Sequence, residues 1–130
     1  MGRQAVPFIH IKSLPFDPPL DIPPLIAAIG RDFAQGTGVP LNHVHTTWEY
    51  FLPGHFAKGE DTPATQREPH SVLVNLLTPD FNDATTVRAM LVTLADSIAK
   101  RSGHPRHKIF INHRAAHSSM VFDDGEVVEW

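Results

Sequence analysis

A run of β-branched and aromatic residues near the C-terminal end carries three side chains that could bind a small organic acid. Phe110, Asn112 and Arg114 alternate along this run, so a β-strand would place all three on one face. A guanidinium there could hold a carboxylate through two parallel hydrogen bonds, beside an aromatic wall. Simpler interpretations stay open: Arg114 could pair with Glu126 or Glu129, Asn112 could bond to backbone, and Phe110 could belong to a core.

The nine histidines raise the question of a metal site. His43 and His45 would share one face of an earlier strand, and His113 and His117 could converge with His55. Zinc takes three or four ligands, and neither a third ligand nor a His-Glu-x-x-His helix pattern is specified here. We therefore expect no metal and no other cofactor.

The composition favours one intracellular domain with a packed core. The 130 residues are 42% apolar and 19% charged, with a net charge of −3 and no cysteine. Nucleic-acid-binding proteins usually show a basic stripe, so nucleic acid is not an expected partner. No apolar run has the ~18 residues of a membrane span, and residues 1–7 do not resemble a signal peptide. We expect a cytoplasmic protein that does not bind membranes.

The elements that would position these side chains occur twice. Gly38-Val39-Pro40 and Gly103-His104-Pro105 lie 65 positions apart. The same shift aligns apolar helical stripes and apolar strands on both sides of them. The aligned helical positions are Ile22 with Val87, Ile26 with Leu91, Ile29 with Leu94, and Phe33 with Ile98. Phe8–Ile11 likewise falls on Leu73–Leu76.

Local signals predict where the elements begin and end. Asp21 can cap the first helix, which Gly36 and Gly38 end, and Asn82 or Asp83 can cap the second, which ends near Arg101 before Gly103. Strands are expected at about Val44–Phe51 and Lys108–Arg114, and Asp124-Gly125 predicts a hairpin in the tail.

These elements predict an α+β fold of two pseudo-symmetric β-α-β repeats. It would contain a four-stranded sheet with two helices on one face, and oligomerisation would cover the other face. The whole chain, 1–130, would be one domain. Repeat one would cover about 7–57, a linker about 58–70, repeat two about 71–122, and the hairpin tail 120–130.

The sequence resembles the tautomerase superfamily over nearly its whole length. Pro7 followed by an apolar strand, the Val39-Pro40-Leu41 turn and the segment Gly54-His55-Phe56-Ala57-Lys58-Gly59 resemble the short members, the 4-oxalocrotonate tautomerases. Lys108–Asn112 resembles a strand of the long members, the macrophage migration inhibitory factor group. The resemblance implies homotrimers of two-repeat chains, with an active site at the start of the first strand near a subunit boundary.

The resemblance also implies that Pro7 is the catalytic residue. The family uses an amino-terminal proline, whose secondary amine moves a proton next to a carbonyl. An internal proline nitrogen is an amide without basicity, and Met1–Val6 precede Pro7 here. Either translation starts at Val6, read as methionine and then removed, or Pro7 stays blocked. Pro7 could also simply begin an edge strand.

Other family positions differ from the usual residues. The arginines that hold dicarboxylates in short members fall on Asp17 and His45, and the lysine of the long branch falls on Val39. The aromatic wall is kept at Phe56. The tyrosine of the long branch is Phe110, and its asparagine is Asn112.

We expect an isomerase that acts on a small enol or unsaturated carboxylic acid. Pro7 would be catalytic, Arg114 and His45 would hold the carboxylate, and Phe56, Phe110 and Asn112 would shape the pocket. One alternative is a catalytically inactive binding or structural trimer with Pro7 blocked. Another is a hydratase or dehalogenase-type relative, in which Glu49 activates water.

Overall fold

The computed structural model describes residues 7–60 and 69–130. The extension Met1–Val6 and the middle of the predicted linker, 61–68, lie outside the described residues. Short 3₁₀ turns, Leu41–His43 and Arg106–Lys108, precede the second and fourth strands. The helices and strands are β1 (Phe8–Ser13), α1 (Ile22–Thr37), β2 (His45–Tyr50), β3 (Val72–Pro79), α2 (Ala84–Ser102), β4 (Ile109–Ala116), β5 (Val121–Asp123) and β6 (Glu126–Val128).

The predicted α+β architecture is confirmed. Strands β1 to β4 form one sheet in the order β2-β1-β3-β4, and both helices cover the same face. β1 and β2 are parallel, β3 and β4 are parallel, and β1 and β3 are antiparallel. Each repeat is therefore one β-α-β unit. β1 is an interior strand, so the interpretation of Pro7 as the start of an edge strand is wrong.

Both helices end as the sequence predicts, but they begin differently. Gly38 and Gly103 have φ values of 79° and 72°, a left-handed conformation that favours glycine. Asp83 caps α2 by accepting a hydrogen bond from the Thr86 amide at 2.8 Å. Asp21 occupies the same position before α1, yet its side chain makes no capping bond.

The core lies between the helices and the inner face of the sheet. Ile9 and Ile11 of β1 and the alternate residues of β3 are buried there because strand side chains alternate between faces. The buried residues of α1 and α2 that pack against these strands occupy equivalent positions, 65 residues apart in the sequence. The fully covered pairs are Leu25 with Met90, Ile29 with Leu94, and Phe33 with Ile98.

The two helices contact each other at a polar cluster around Asp32, where the equivalent positions Asp32 and Ser97 meet, and at one close backbone approach. The Ser97 hydroxyl donates to Asp32 at 2.7 Å, and the Arg101 guanidinium donates to both oxygens of Asp32 at 2.8 and 2.9 Å. Gly36 packs against Thr93 so closely that a Cβ at Gly36 would lie 2.7 Å from Thr93 Cγ2. The helix pair is thus held by a polar cluster and by one backbone approach.

The tail forms the hairpin that Asp124-Gly125 predicts, with Val121 opposite Val128. Its last residue is tied to the end of β3, because the Trp130 indole donates to Asp80 Oδ1 at 2.7 Å. His117 Nδ1 lies 3.0 Å from the other oxygen of Asp80. The Trp130 bond, and then the His117 bond, lower the pKa of Asp80. Among the described residues, no helix has the length and hydropathy to cross a membrane.

Candidate active site

The sheet face opposite the helices carries three rows of four side chains that each cross all four strands. They alternate with the buried residues, so they point away from the helices. Pairing between neighbouring strands sets each row. From β2 to β4, the rows are His45, Phe8, Leu77 and Arg114; then Thr47, His10, Asn75 and Asn112; then Glu49, Lys12, Leu73 and Phe110.

The first row lies where β1 begins, next to Pro7. The Pro7 carbonyl accepts a hydrogen bond from the His45 amide at 3.2 Å. The Phe8 and His45 rings stack with their centroids 6.0 Å apart. Pro7 itself is fully buried, and Arg114 is exposed at the far edge of the same row. The structure therefore places His45 and Arg114 at the same end of the sheet as Pro7.

A cavity of about 330 Å³, the first-repeat pocket, lies between this row and the tail hairpin. Phe8, His45 and Leu77 line it from the sheet, and residues 120–123 line it from the hairpin. Sequence reasoning missed Leu77 and the hairpin residues. The shift of 65 positions could have found the hairpin residues, because it carries Phe56 onto Val121.

Phe56 and Phe110 line a different cavity. This second-repeat pocket has a volume of about 400 Å³ and lies where β3 and β4 begin, beside Leu73 and Ile109. Because β1 and β3 are antiparallel, it is at the opposite end of the sheet from Pro7. Within one chain, Phe56 and Phe110 are therefore not brought to Pro7, and Asn112 lies in the row between the two ends.

The middle of the open face is polar and internally bonded. His10 Nδ1 is hydrogen-bonded to Thr47 Oγ1, and His10 Nε2 lies 3.2 Å from Glu49 Oε1. Glu49 belongs to the third row, four residues along β2 from His45, which corresponds to roughly 13 Å in a strand. In a single chain Glu49 is therefore too distant to deliver water to a substrate held at Pro7.

The histidines considered for a metal site have other neighbours. His113 Nε2 is hydrogen-bonded to Thr78 Oγ1 at 2.7 Å, and its partial burial lowers the pKa of His113. His117 contacts Asp80, and the His45 ring stacks on Phe8. Within residues 7–60 and 69–130, no three His, Asp or Glu side chains converge as metal ligands would.

Several solved structures have a fold similar to that of this chain. No protein-family model and no curated protein sequence matches the chain. Among solved structures, the chain is similar to native fused 4-OT, with a TM-score of 0.77 and 15% identity over 92% of this chain and 94% of that one. It is similar to a fused 4-OT symmetric trimer, with a TM-score of 0.74 and 15% identity over 94% of both chains.

A third similar structure is N1, a member of the cis-3-chloroacrylic acid dehalogenase family. Its TM-score is 0.78 at 11% identity, over 93% of this chain and 82% of that one. The fold is that of a duplicated β-α-β protein, as in fused 4-OT. The chain has the tautomerase-superfamily fold that its sequence resemblance implies.

Proposed function

We propose that this protein isomerises a small enol or unsaturated carboxylic acid between keto and enol forms, with Pro7 as the catalytic residue when it is the amino-terminal residue. One observation carries the proposal. Pro7 immediately precedes the interior strand β1, and its carbonyl accepts a hydrogen bond from the His45 amide. His45 belongs to the row that borders the first-repeat pocket and ends at Arg114.

The chemistry requires a free secondary amine at Pro7. Terminal amines have pKa values of about 7.7–8.0, so a dry site beside a cation can make the amine a base near neutral pH. The amine removes the enol hydroxyl proton and returns a proton to carbon, so the isomerisation is balanced without a co-reactant. When residues precede Pro7, its nitrogen is an amide that can neither accept nor deliver a proton.

The first-repeat pocket suits a substrate with one carboxylate and an apolar body. His45 lines the pocket and would donate a hydrogen bond to the carboxylate. Arg114 lies at the far end of the same row, so its guanidinium would reach the carboxylate from a neighbouring subunit. Phe8, Leu77 and Phe122 supply apolar surface. This arrangement replaces the pair of arginines expected for a dicarboxylate.

A homotrimer would complete the site. The open sheet face leaves Phe110 62% exposed, and the hairpin leaves Phe122 72% exposed, so both offer apolar surface to another subunit. The similarity to a fused 4-OT symmetric trimer supports this assembly. In such an assembly Asn112, on the open face of the sheet, would reach Pro7 from a neighbouring subunit, whereas Phe56 and Phe110 stay in the second-repeat pocket of their own chain.

The test compares the chain that begins at Pro7 with the 130-residue chain. The expected substrate is phenylpyruvate, a monocarboxylate, and the dicarboxylate 2-hydroxymuconate is the comparison substrate. Mass spectrometry of protein from the native host identifies the terminal residue. We expect tautomerisation only by the chain that begins at Pro7, and its loss on Pro7→Ala. No activity in either chain would support the alternative of an inactive binding trimer. Full activity in Pro7→Ala would identify another base.

Dehalogenation or hydration is the second candidate, favoured by the similarity to the N1 structure. It requires an acid to activate water, and Glu49 would have to come from another subunit. Turnover of 3-chloroacrylate by the chain that begins at Pro7, lost on Glu49→Gln, would support this candidate.

A further inference from the structure

The two pockets are equivalent under the repeat. The shift of 65 positions carries five lining residues of the second-repeat pocket onto five lining residues of the first-repeat pocket. The equivalent pairs are Leu73 with Phe8, Phe110 with His45, Phe56 with Val121, Ala57 with Phe122, and Lys58 with Asp123. Each pocket lies where the first strand of a repeat begins and is closed by the segment after the last strand of the other repeat.

Their chemistry differs at the equivalent positions. Lys58 replaces the acid Asp123, and the aromatic Phe110 replaces the imidazole His45. His107 and Lys108 also line the second-repeat pocket. Two lysines therefore line this pocket, whereas an aspartate lines the first.

The residue equivalent to Pro7 is Val72, which is fully buried and paired with Ile109. A valine side chain neither accepts nor donates a proton, and its backbone nitrogen is an amide. The second-repeat pocket thus lacks the group on which the proposed isomerisation depends.

We propose that the second-repeat pocket binds a small monocarboxylic acid with an aromatic or branched apolar body, and does not transform it. Lys108 attracts the carboxylate at the rim. The rings of Phe56 and Phe110, with Leu73, take up the apolar body. The volume of about 400 Å³ is in the range of pockets for small organic ligands. Cations beside aromatic walls favour such a ligand over inorganic phosphate, which has no apolar part.

The test uses phenylacetate, which cannot tautomerise in the way the proposed substrate does, and the full 130-residue chain. Binding is followed by NMR at the backbone amides of Leu73 and Phe110, and separately at those of Phe8 and Leu77. The two pockets are thereby read independently, and the result does not depend on whether Pro7 is catalytic.

We expect saturable shifts at Leu73 and Phe110 whose Kd rises about tenfold in Lys108→Gln and stays within about threefold in Lys108→Arg. The matched control Lys100→Gln, an exposed lysine on α2, should change the Kd by less than twofold, as should His45→Gln in the other pocket. Neutral phenylacetamide and acetate should each bind at least tenfold more weakly. Absence of shifts at Leu73 and Phe110, an unchanged Kd in Lys108→Gln, or equally tight binding of phenylacetamide would overturn the proposal.

Discussion

Ser97 donates a hydrogen bond to Asp32 at 2.7 Å, although the two residues occupy the same position in the two repeats. The same holds in the sheet, where His10 is paired with Asn75, again 65 positions apart. Equivalent positions meet only on an axis of two-fold pseudo-symmetry. That axis passes between α1 and α2 and between β1 and β3, so the chain is built like a dimer of β-α-β units.

Replacing Asp32 with asparagine should weaken the joint between the repeats. Its pKa is lowered from 3.8 to about 2, first by the hydrogen bond from Arg101 and further by the one from Ser97. A carboxyl whose folded pKa is depressed stabilises the fold above its ordinary value, and this stability is lost as the pH falls from about 4 towards 2. Urea unfolding should show a loss of roughly 1–2 kcal/mol for Asp32→Asn at pH 7.

The loss should shrink as the pH approaches 2, because the wild-type carboxyl is then protonated. Asp96→Asn is the matched control, since Asp96 pairs with Arg106 on the surface with 58% of each side chain exposed. Its effect should stay within about 0.5 kcal/mol. Equal unfolding free energies for the wild type and Asp32→Asn at pH 7 would show that the cluster does not stabilise the helix pair.

His113 should make the protein sensitive to mild acid. Burial lowers its pKa below the ordinary 6.5, so the folded state holds it neutral while the unfolded state takes up a proton first. Stability from this group is therefore present above pH 6.5 and declines as the pH falls below that value. Unfolding free energies at pH 7.5 and pH 5 should differ less in His113→Gln than in the wild type.

The exposed His107 provides the comparison, and His107→Gln should leave the pH dependence unchanged. An NMR titration of the His113 ring in the folded protein checks the cause directly. A midpoint at or above 6.5 would contradict the prediction.

Gly36 should tolerate alanine only when Thr93 is shortened. Alanine in a helix is usually more favourable than glycine by about 1 kcal/mol. Here the new Cβ would lie 2.7 Å from Thr93 Cγ2, and a β-branched side chain on a helix has little freedom to move. We expect Gly36→Ala to destabilise the fold by roughly 1–3 kcal/mol, measured by urea unfolding.

Adding Thr93→Ala should recover most of that loss, and Thr93→Ala alone supplies the reference for a double-mutant cycle. Additive effects of the two substitutions would mean that Gly36 and Thr93 are not in steric conflict.

Arg114 should determine substrate affinity in the chain that begins at Pro7. Removing a guanidinium that holds a carboxylate in two hydrogen bonds should raise KM for phenylpyruvate about tenfold or more in Arg114→Gln, with a smaller change in kcat. Arg31→Gln, on the exposed surface of α1, should leave both constants near the wild-type values. An unchanged KM in Arg114→Gln would remove Arg114 from the site.

Much of the fold could be predicted because the repeat is visible in local sequence patterns. Helical stripes, the glycines after each helix and the hairpin turn all depend on neighbouring residues, and the structure agrees with them. Strand order depends on which repeats pair, so the interior position of β1 was not evident. The same pairing explains the site: Phe56 closes the pocket of the other repeat, a long-range relationship that spacing around Phe56 does not reveal.

The difference between Lys58 and Asp123 has an evolutionary consequence. In an assembly of identical one-repeat chains, a mutation in the gene alters every pocket at once, so no pocket can change unless all tolerate the change. Joining two repeats in one gene gives each pocket its own codons. The gene can then keep a proline at one strand start and a valine at the other, and selection can act on the two pockets separately.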